Sequence, residues 1–106
     1  MFYQKSENDY RQAIAGISYK TLVYGQKTSL SEFHLQKGSV MPNHSHPQEQ
    51  TGYMVSGRLN FIIDGKKHET LPGNSWCIPA DVQHGVEVLE DSIVIEIFSP
   101  VREEYL

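Results

Sequence analysis

The stretch Gly38-Ser39-Val40-Met41-Pro42-Asn43-His44-Ser45-His46-Pro47-Gln48-Glu49-Gln50, answered further on by His84, decides how this chain is read. His44 and His46 stand two apart in an extended segment, so their side chains point the same way. Gln50 keeps that parity if the segment stays extended beyond Pro47, whereas Glu49 points the other way. His84 opens a different strand and must come from across the fold. Three of the five histidines fall in this constellation, so it gathers most of the chain's imidazoles. Imidazole suits first-row transition metals, and a site with few protein ligands keeps positions open for chemistry.

Around this stretch the sequence is a series of short β-like runs cut by turn residues. Thr21 to Tyr24 is one, ended by Gly25. Leu30 to Gln36 alternates, with Phe33 and Leu35 on one face and Glu32 and His34 on the other. Gln50 to Ser56 ends at Gly57. Arg58 to Ile63 runs into Asp64-Gly65, a strong hairpin signal. Lys66 to Leu71, Ser75 to Ile78 and His84 to Leu89 follow, Glu90-Asp91 turns the chain, and Ser92 to Ser99 is the last run. Ser6 to Ala15 reads as a short turn or helix closed by Gly16. Many short strands with turns between them argue for an all-β sandwich or barrel. Ile93 to Phe98 is apolar on both faces, which predicts cover on both sides: the barrel interior on one, a second sheet or a second subunit on the other. A homodimer is therefore expected.

Bulk composition narrows the function classes. A chain of 106 residues makes one domain with one core. Nine Lys and Arg against thirteen Asp and Glu, with no basic run, argue against nucleic acid as partner. The one cysteine, Cys77, cannot form an internal disulfide, which fits a reducing compartment. No run is long enough to span a bilayer, and the N-terminus lacks the apolar stretch of a signal peptide. These features predict a cytoplasmic protein acting on a small molecule, away from membranes.

The spacing of Gly38, His44, His46, Gln50 and Gly57 resembles the first motif of the cupin family, and that of Gly73, Pro79 and His84 resembles its second. Fifteen residues separate Gly57 from Gly73, the short spacing of small single-domain cupins. The resemblance implies a double-stranded β-helix, or jelly-roll, barrel over residues 1–106, with metal motif segments at 38–57 and 73–88. It implies one divalent transition metal held by His44, His46, Gln50 and His84. Zinc, nickel, iron, manganese and copper all suit such a set. Gln50 stands where that family usually has a carboxylate, so the site carries one negative charge fewer and a bound metal stays more electrophilic. Asp81 and Val88 depart from the second motif at turn and packing positions.

The last strand adds a carboxylate, Glu96, inside Ile-Val-Ile-Glu-Ile-Phe. A buried carboxylate is costly and needs a partner or a purpose. Its parity matches Val94 and Phe98. It faces the metal if that side lines the cavity, and otherwise forms an ion pair at a subunit interface with Arg102 or Arg58. Residues 44–50, 53–59, 90–91 and 98–106 together resemble the pectin-degradation cupins, which linearise 4,5-unsaturated monouronates. That resemblance places Glu96, Phe98 and Arg102 in an active site: Glu96 and Arg102 as catalytic residues, and Phe98, Tyr53 and Arg102 against a sugar-acid substrate. That family carries Asp where this chain has Glu96, and one extra methylene shifts the carboxylate by roughly a bond length, a misplacement that can cost about a hundredfold in rate.

Two other functions fit the same motifs. One is a metal-dependent dioxygenase acting on a small organic molecule, favoured by an all-apolar pocket. The other is a non-catalytic sugar- or metal-binding module. His34 and His68 read as solvated residues on polar faces, Trp76, Phe61 and Tyr53 as core or pocket wall, and Cys77 as a small buried hydrophobe.

Overall fold

The computed structural model describes residues 1–106. It contains eight strands and one terminal turn of helix: β1 (Arg11–Ile14), β2 (Ile17–Tyr24), β3 (Ser29–Leu35), β4 (Val40–His44), β5 (Glu49–Ile63), β6 (Lys66–Thr70), β7 (Ser75–Ile78), β8 (His84–Ser99) and a 3-10 helix over Glu103–Tyr105. All strand pairs are antiparallel.

Two long strands make this a rolled barrel rather than a flat sheet. β5 and β8 lie side by side from Glu49↔Ser99 to Ile63↔His84, and each belongs to two sheets. Their first and last halves respectively, Glu49–Met54 and Val94–Ser99, join β3 on one flank and β7 on the other. Their remaining halves join β4 and β6. The resulting layers are β1-β2-β3-β8-β5-β7 and β4-β8-β5-β6, with the core between them.

The crossing point is Gly57. The register shifts across it, between Ser56 and Arg58, and on both sides of it, between Met54 and Ser56 and between Arg58 and Leu59. Its φ is 93°, and a Cβ there would lie 2.3 Å from the Asp91 carbonyl oxygen and 2.6 Å from the Ser92 Cα. A bulge that bends and twists the strand needs this left-handed residue. The same bend carries β8 through Glu90 and Asp91 without a break. Gln50–Ser56 and Arg58–Ile63 are therefore one strand, as are His84–Leu89 and Ser92–Ser99, where turn signals had suggested four.

The N-terminal expectation also changes. Ser6–Ala15 contains no helix, and Arg11–Ile14 is strand β1, paired with β2 through Arg11↔Tyr19 and Gln12↔Ser18. A segment this short cannot nucleate a stable helix alone, while the free edge of β2 offers it hydrogen-bond partners.

Alternation in the strands sorts the side chains. β3 buries Phe33 and Leu35 and leaves Glu32 and His34 half-buried, as its pattern predicts. The interior holds Ile17, Tyr19, Phe33, Leu35, Met54, Leu59, Phe61, Ile78, Val86, Val88, Val94 and Phe98. In β8, Val94, Glu96 and Phe98 face inward, whereas Ile93 and Ile95 are half-buried and Ile97 is exposed on the outer face. Cys77 is exposed, against expectation. It lies between inward-facing Trp76 and buried Ile78, so the pleat turns it outward. His34 is less solvated than expected: its Nε2 lies 2.7 Å from Glu32 Oε1, and Tyr10 donates to the same oxygen.

Gly57→Ala should destabilise the protein by roughly 2–4 kcal/mol, combining left-handed backbone strain with displacement of Asp91 and Ser92. Urea denaturation with an unchanged m-value checks this, and a loss under about 0.5 kcal/mol would show that the crossing does not depend on this glycine.

Candidate metal centre

His44 closes β4 and His84 opens β8, directly opposite each other in the ladder. His46 follows in the turn after β4, and Gln50 enters on β5. The ring centroids lie 4.3 Å apart for His44 and His84, 4.9 Å for His46 and His84, and 6.0 Å for His44 and His46. One ligand atom from each of the three imidazoles falls within 4.8 Å of the others.

The outer nitrogens decide what the inner ones can do. His44 Nδ1–H donates to the Pro42 carbonyl at 2.8 Å, His46 Nδ1–H to Gln48 at 3.0 Å, and His84 Nδ1–H to Val82 at 2.9 Å. In a neutral ring each bond selects the tautomer with its lone pair on Nε2, the second-layer arrangement typical of metal-ligating histidine. His84 Nε2 is buried and has no hydrogen-bond partner. His46 Nε2 lies 3.0 Å from Gln50 Oε1. The Gln50 amide also favours the charged form of the Glu96 carboxyl, which fits an N–H₂ on the Glu96 side and Oε1 toward His46. Two acceptors therefore face each other beside an orphaned third. A cation among them converts that unfavourable arrangement into a ligand set, so the residues present fit a divalent metal.

Burial favours the neutral form of His84 and His46, the form in which a histidine binds metal. Desolvation depresses His84 to a pKa of about 4, assisted by the neighbouring His44 and His46 and by the Arg102 charge. Desolvation lowers His46 as well, again with Arg102.

Glu96 shares this cavity. It is 4% exposed, and burial pushes its carboxyl up to about 8, against the pull of hydrogen bonds from Gln50 and Trp76 and of the Arg102 charge. Its inward direction settles the alternative left by the sequence: Arg58 pairs with Glu90 at 3.4 Å, and Arg102 with Glu104 at 2.7 Å. Phe98 is buried against the edge of the His46 ring, centroids 5.7 Å apart. Arg102 closes one side, its guanidinium 5.0 Å from the Phe98 centroid and 4.0 Å from that of Tyr105.

Tyr53 does not belong to this cavity. It stands on the outer face of β5, half exposed, because inward-facing Gly52 and Met54 flank it. Two residues whose roles were not foreseen do bear on the site. Trp76 Nε1–H donates to both Glu96 oxygens, at 3.2 and 3.1 Å. Tyr105 lines the cavity, and its carbonyl accepts from Arg11 at 2.6 Å and from Thr21 at 2.7 Å. Their only sequence signals were the single tryptophan and an aromatic near the C-terminus.

The Cupin domain family matches residues 31–99, most of the chain. The protein belongs to the cupin family. This cupin is 30% identical to the solved KdgF from Halomonas sp., with a TM-score of 0.93 over 100% of this chain and 98% of that one. It is 26% identical to the pectin degradation protein KdgF of Dickeya dadantii, over 99% of this chain and 97% of that protein. An RmlC-like cupin from Shewanella frigidimarina shares the fold at 24% identity, with a TM-score of 0.93 over 100% of this chain and 96% of that one. No helix in this cupin is long and apolar enough to cross a membrane.

The raised Glu96 carboxyl predicts a pH signature in the metal-free protein. The unfolded chain releases this proton near the ordinary value of 4.5, whereas the folded chain holds it to about 8. Stability from this group is therefore full below 4.5 and is lost as pH rises toward 8. Glu96→Gln should gain roughly 2–4 kcal/mol on the parent between pH 5 and pH 8, read by denaturant titration. A difference that does not change with pH would contradict the burial account.

Proposed function

We propose that this cupin is a metal-dependent enzyme that opens cyclic 4,5-unsaturated monouronates to their linear keto form. The observation that carries this reading is one cavity holding both an imidazole cluster and a buried carboxyl group. Full-length similarity to two KdgF proteins supports it. We place one divalent metal per chain on His44, His46, Gln50 and His84. Zinc, nickel, iron, manganese and copper all suit these donors. Bound there, the metal supplies Lewis acidity toward substrate oxygens.

The chain's own residues do the rest. Arg102 binds the substrate carboxylate, which its planar fork suits. Phe98 gives the ring an apolar wall. Opening breaks the ring C1–O bond as the C1 hydroxyl loses its proton and becomes an aldehyde. C4 gains a proton as C5 becomes a ketone, so the net change is an isomerisation. Glu96 delivers one proton and collects the other, a role that suits a carboxyl group buried in the same cavity as the imidazoles. About 50 Å³ of the cavity is free, room for a water or two. A monouronate therefore needs the lining side chains to shift, a displacement that a structure with bound product would reveal.

Charged groups beside the imidazoles favour this chemistry over oxygen activation in an apolar pocket. The outward Ile93, Ile95 and Ile97, with Tyr53 and Val55 beside them on β5, suit the interface of a homodimer. The unpaired Cys77 suits a reducing cytoplasm.

The test is loss of the conjugated ultraviolet absorbance of 4,5-unsaturated galacturonate. Metal-loaded protein should exceed the uncatalysed rate, lose that excess to a chelator and recover it with metal. Glu96→Gln, equally metal-loaded, should lose about 10²–10⁴ in kcat. No acceleration with any of the five metals would remove the substrate, and a full rate in Glu96→Gln would remove the proton role.

A further inference from the structure

Trp76, Gly52 and Glu96 form a single row across three strands. Gly52 on β5 is the ladder partner of Trp76 on β7 and of Glu96 on β8. Neighbouring strands lie about 4.8 Å apart, so Trp76 and Glu96 are separated by a whole strand and would ordinarily not touch. They touch because the middle position has no side chain. A Cβ on Gly52 would fall 2.3 Å from Trp76 Nε1, 2.4 Å from its Cε2 and 2.5 Å from Glu96 Oε2. The space above Gly52 is filled by the contact itself.

The contact has a specific form. One indole N–H is shared between both carboxylate oxygens, which fixes where the carboxylate sits. The indole also packs on Phe61, centroids 4.8 Å apart, so its own place is held. On the far side of Glu96 its ladder partner is Ser31, whose hydroxyl bonds Thr21 at 3.2 Å. An indole N–H donates and cannot accept. It therefore never competes for the proton on Glu96, and any proton carried there sits on the remaining lone pairs.

We propose that Trp76 is a positioning residue for Glu96, working through the gap at Gly52. The inference rests on the ring-opening reaction above and adds the device that aims its proton carrier. A Trp N–H turned into a protein interior usually finds an acceptor, so the question is whether this one matters to catalysis or only to packing.

A double-mutant cycle separates the two. Trp76→Phe keeps an aromatic ring against Phe61 and removes the N–H. In the parent, metal-loaded background it should lower kcat roughly tenfold and move KM less than about twofold. In the Glu96→Gln background the same change should leave the residual rate unaltered. Gly52→Ala, which retains the tryptophan but fills its gap, should lower kcat similarly. It should also change the emission of the chain's single tryptophan, which reports the indole's displacement without reference to activity.

A parental kcat in Trp76→Phe would overturn the positioning role, and so would an equal loss in both backgrounds. A displaced indole in Gly52→Ala with a parental rate would do the same. Parent protein with no turnover under any metal would instead overturn the reaction and this role together.

Discussion

The pairing of β5 with β8 through the Gly57 crossing is the constraint on which everything else depends. Each strand serves two sheets, so the bend sets how those sheets face each other. It also sets where the site forms. The half of β8 beyond the bend carries Glu96 and Phe98, and its opposite end carries His84. Only a strand folded back over the core brings both ends to one cavity. β5 mirrors it, with Gln50 and Gly52 on its first half and Leu59 and Phe61 on its second.

The site is costly in the way functional sites are. An orphaned imidazole nitrogen, facing acceptors and a carboxylate at 4% exposure do not maximise stability. The backbone accepts that cost locally. Carbonyls of Pro42, Gln48 and Val82 each take one imidazole N–H, so three rings present lone pairs inward without any charged residue holding them. On the other side of the cavity the cost is met by side chains, with Trp76 donating to Glu96 and the Gln50 amide favouring its charged form. Gln50 joins the two halves, since its oxygen faces His46 and its nitrogen faces Glu96.

Much of this was legible in the sequence, for identifiable reasons. Histidines two apart on an extended segment share a side, and that local rule brings His44 and His46 together. The alternation of Ile93–Phe98 grouped Glu96 with Val94 and Phe98 but left open which face is inward, because both faces of that strand are apolar. Long-range register was not legible. Gly57 and Glu90-Asp91 read as chain reversals because a bulge and a turn call for the same residues. β1 depends on the free edge of β2, which no local propensity reveals. Cys77 and Tyr53 face outward because of the phase of a pleat that turn residues left undefined. Trp76 meets Glu96 only through the aligned register of three strands, and Gly52 carries no mark in the sequence of the gap it provides.

Anomalous diffraction from crystals of the metal-loaded protein tests the central claim most directly, namely that three Nε2 lone pairs and the Gln50 oxygen converge on one cation. The account predicts a single strong peak per chain, about 2.0–2.2 Å from Nε2 of His44, His46 and His84, with Gln50 Oε1 facing it. A cavity without a peak, or a metal held through the Nδ1 atoms after the three backbone hydrogen bonds have broken, would contradict it.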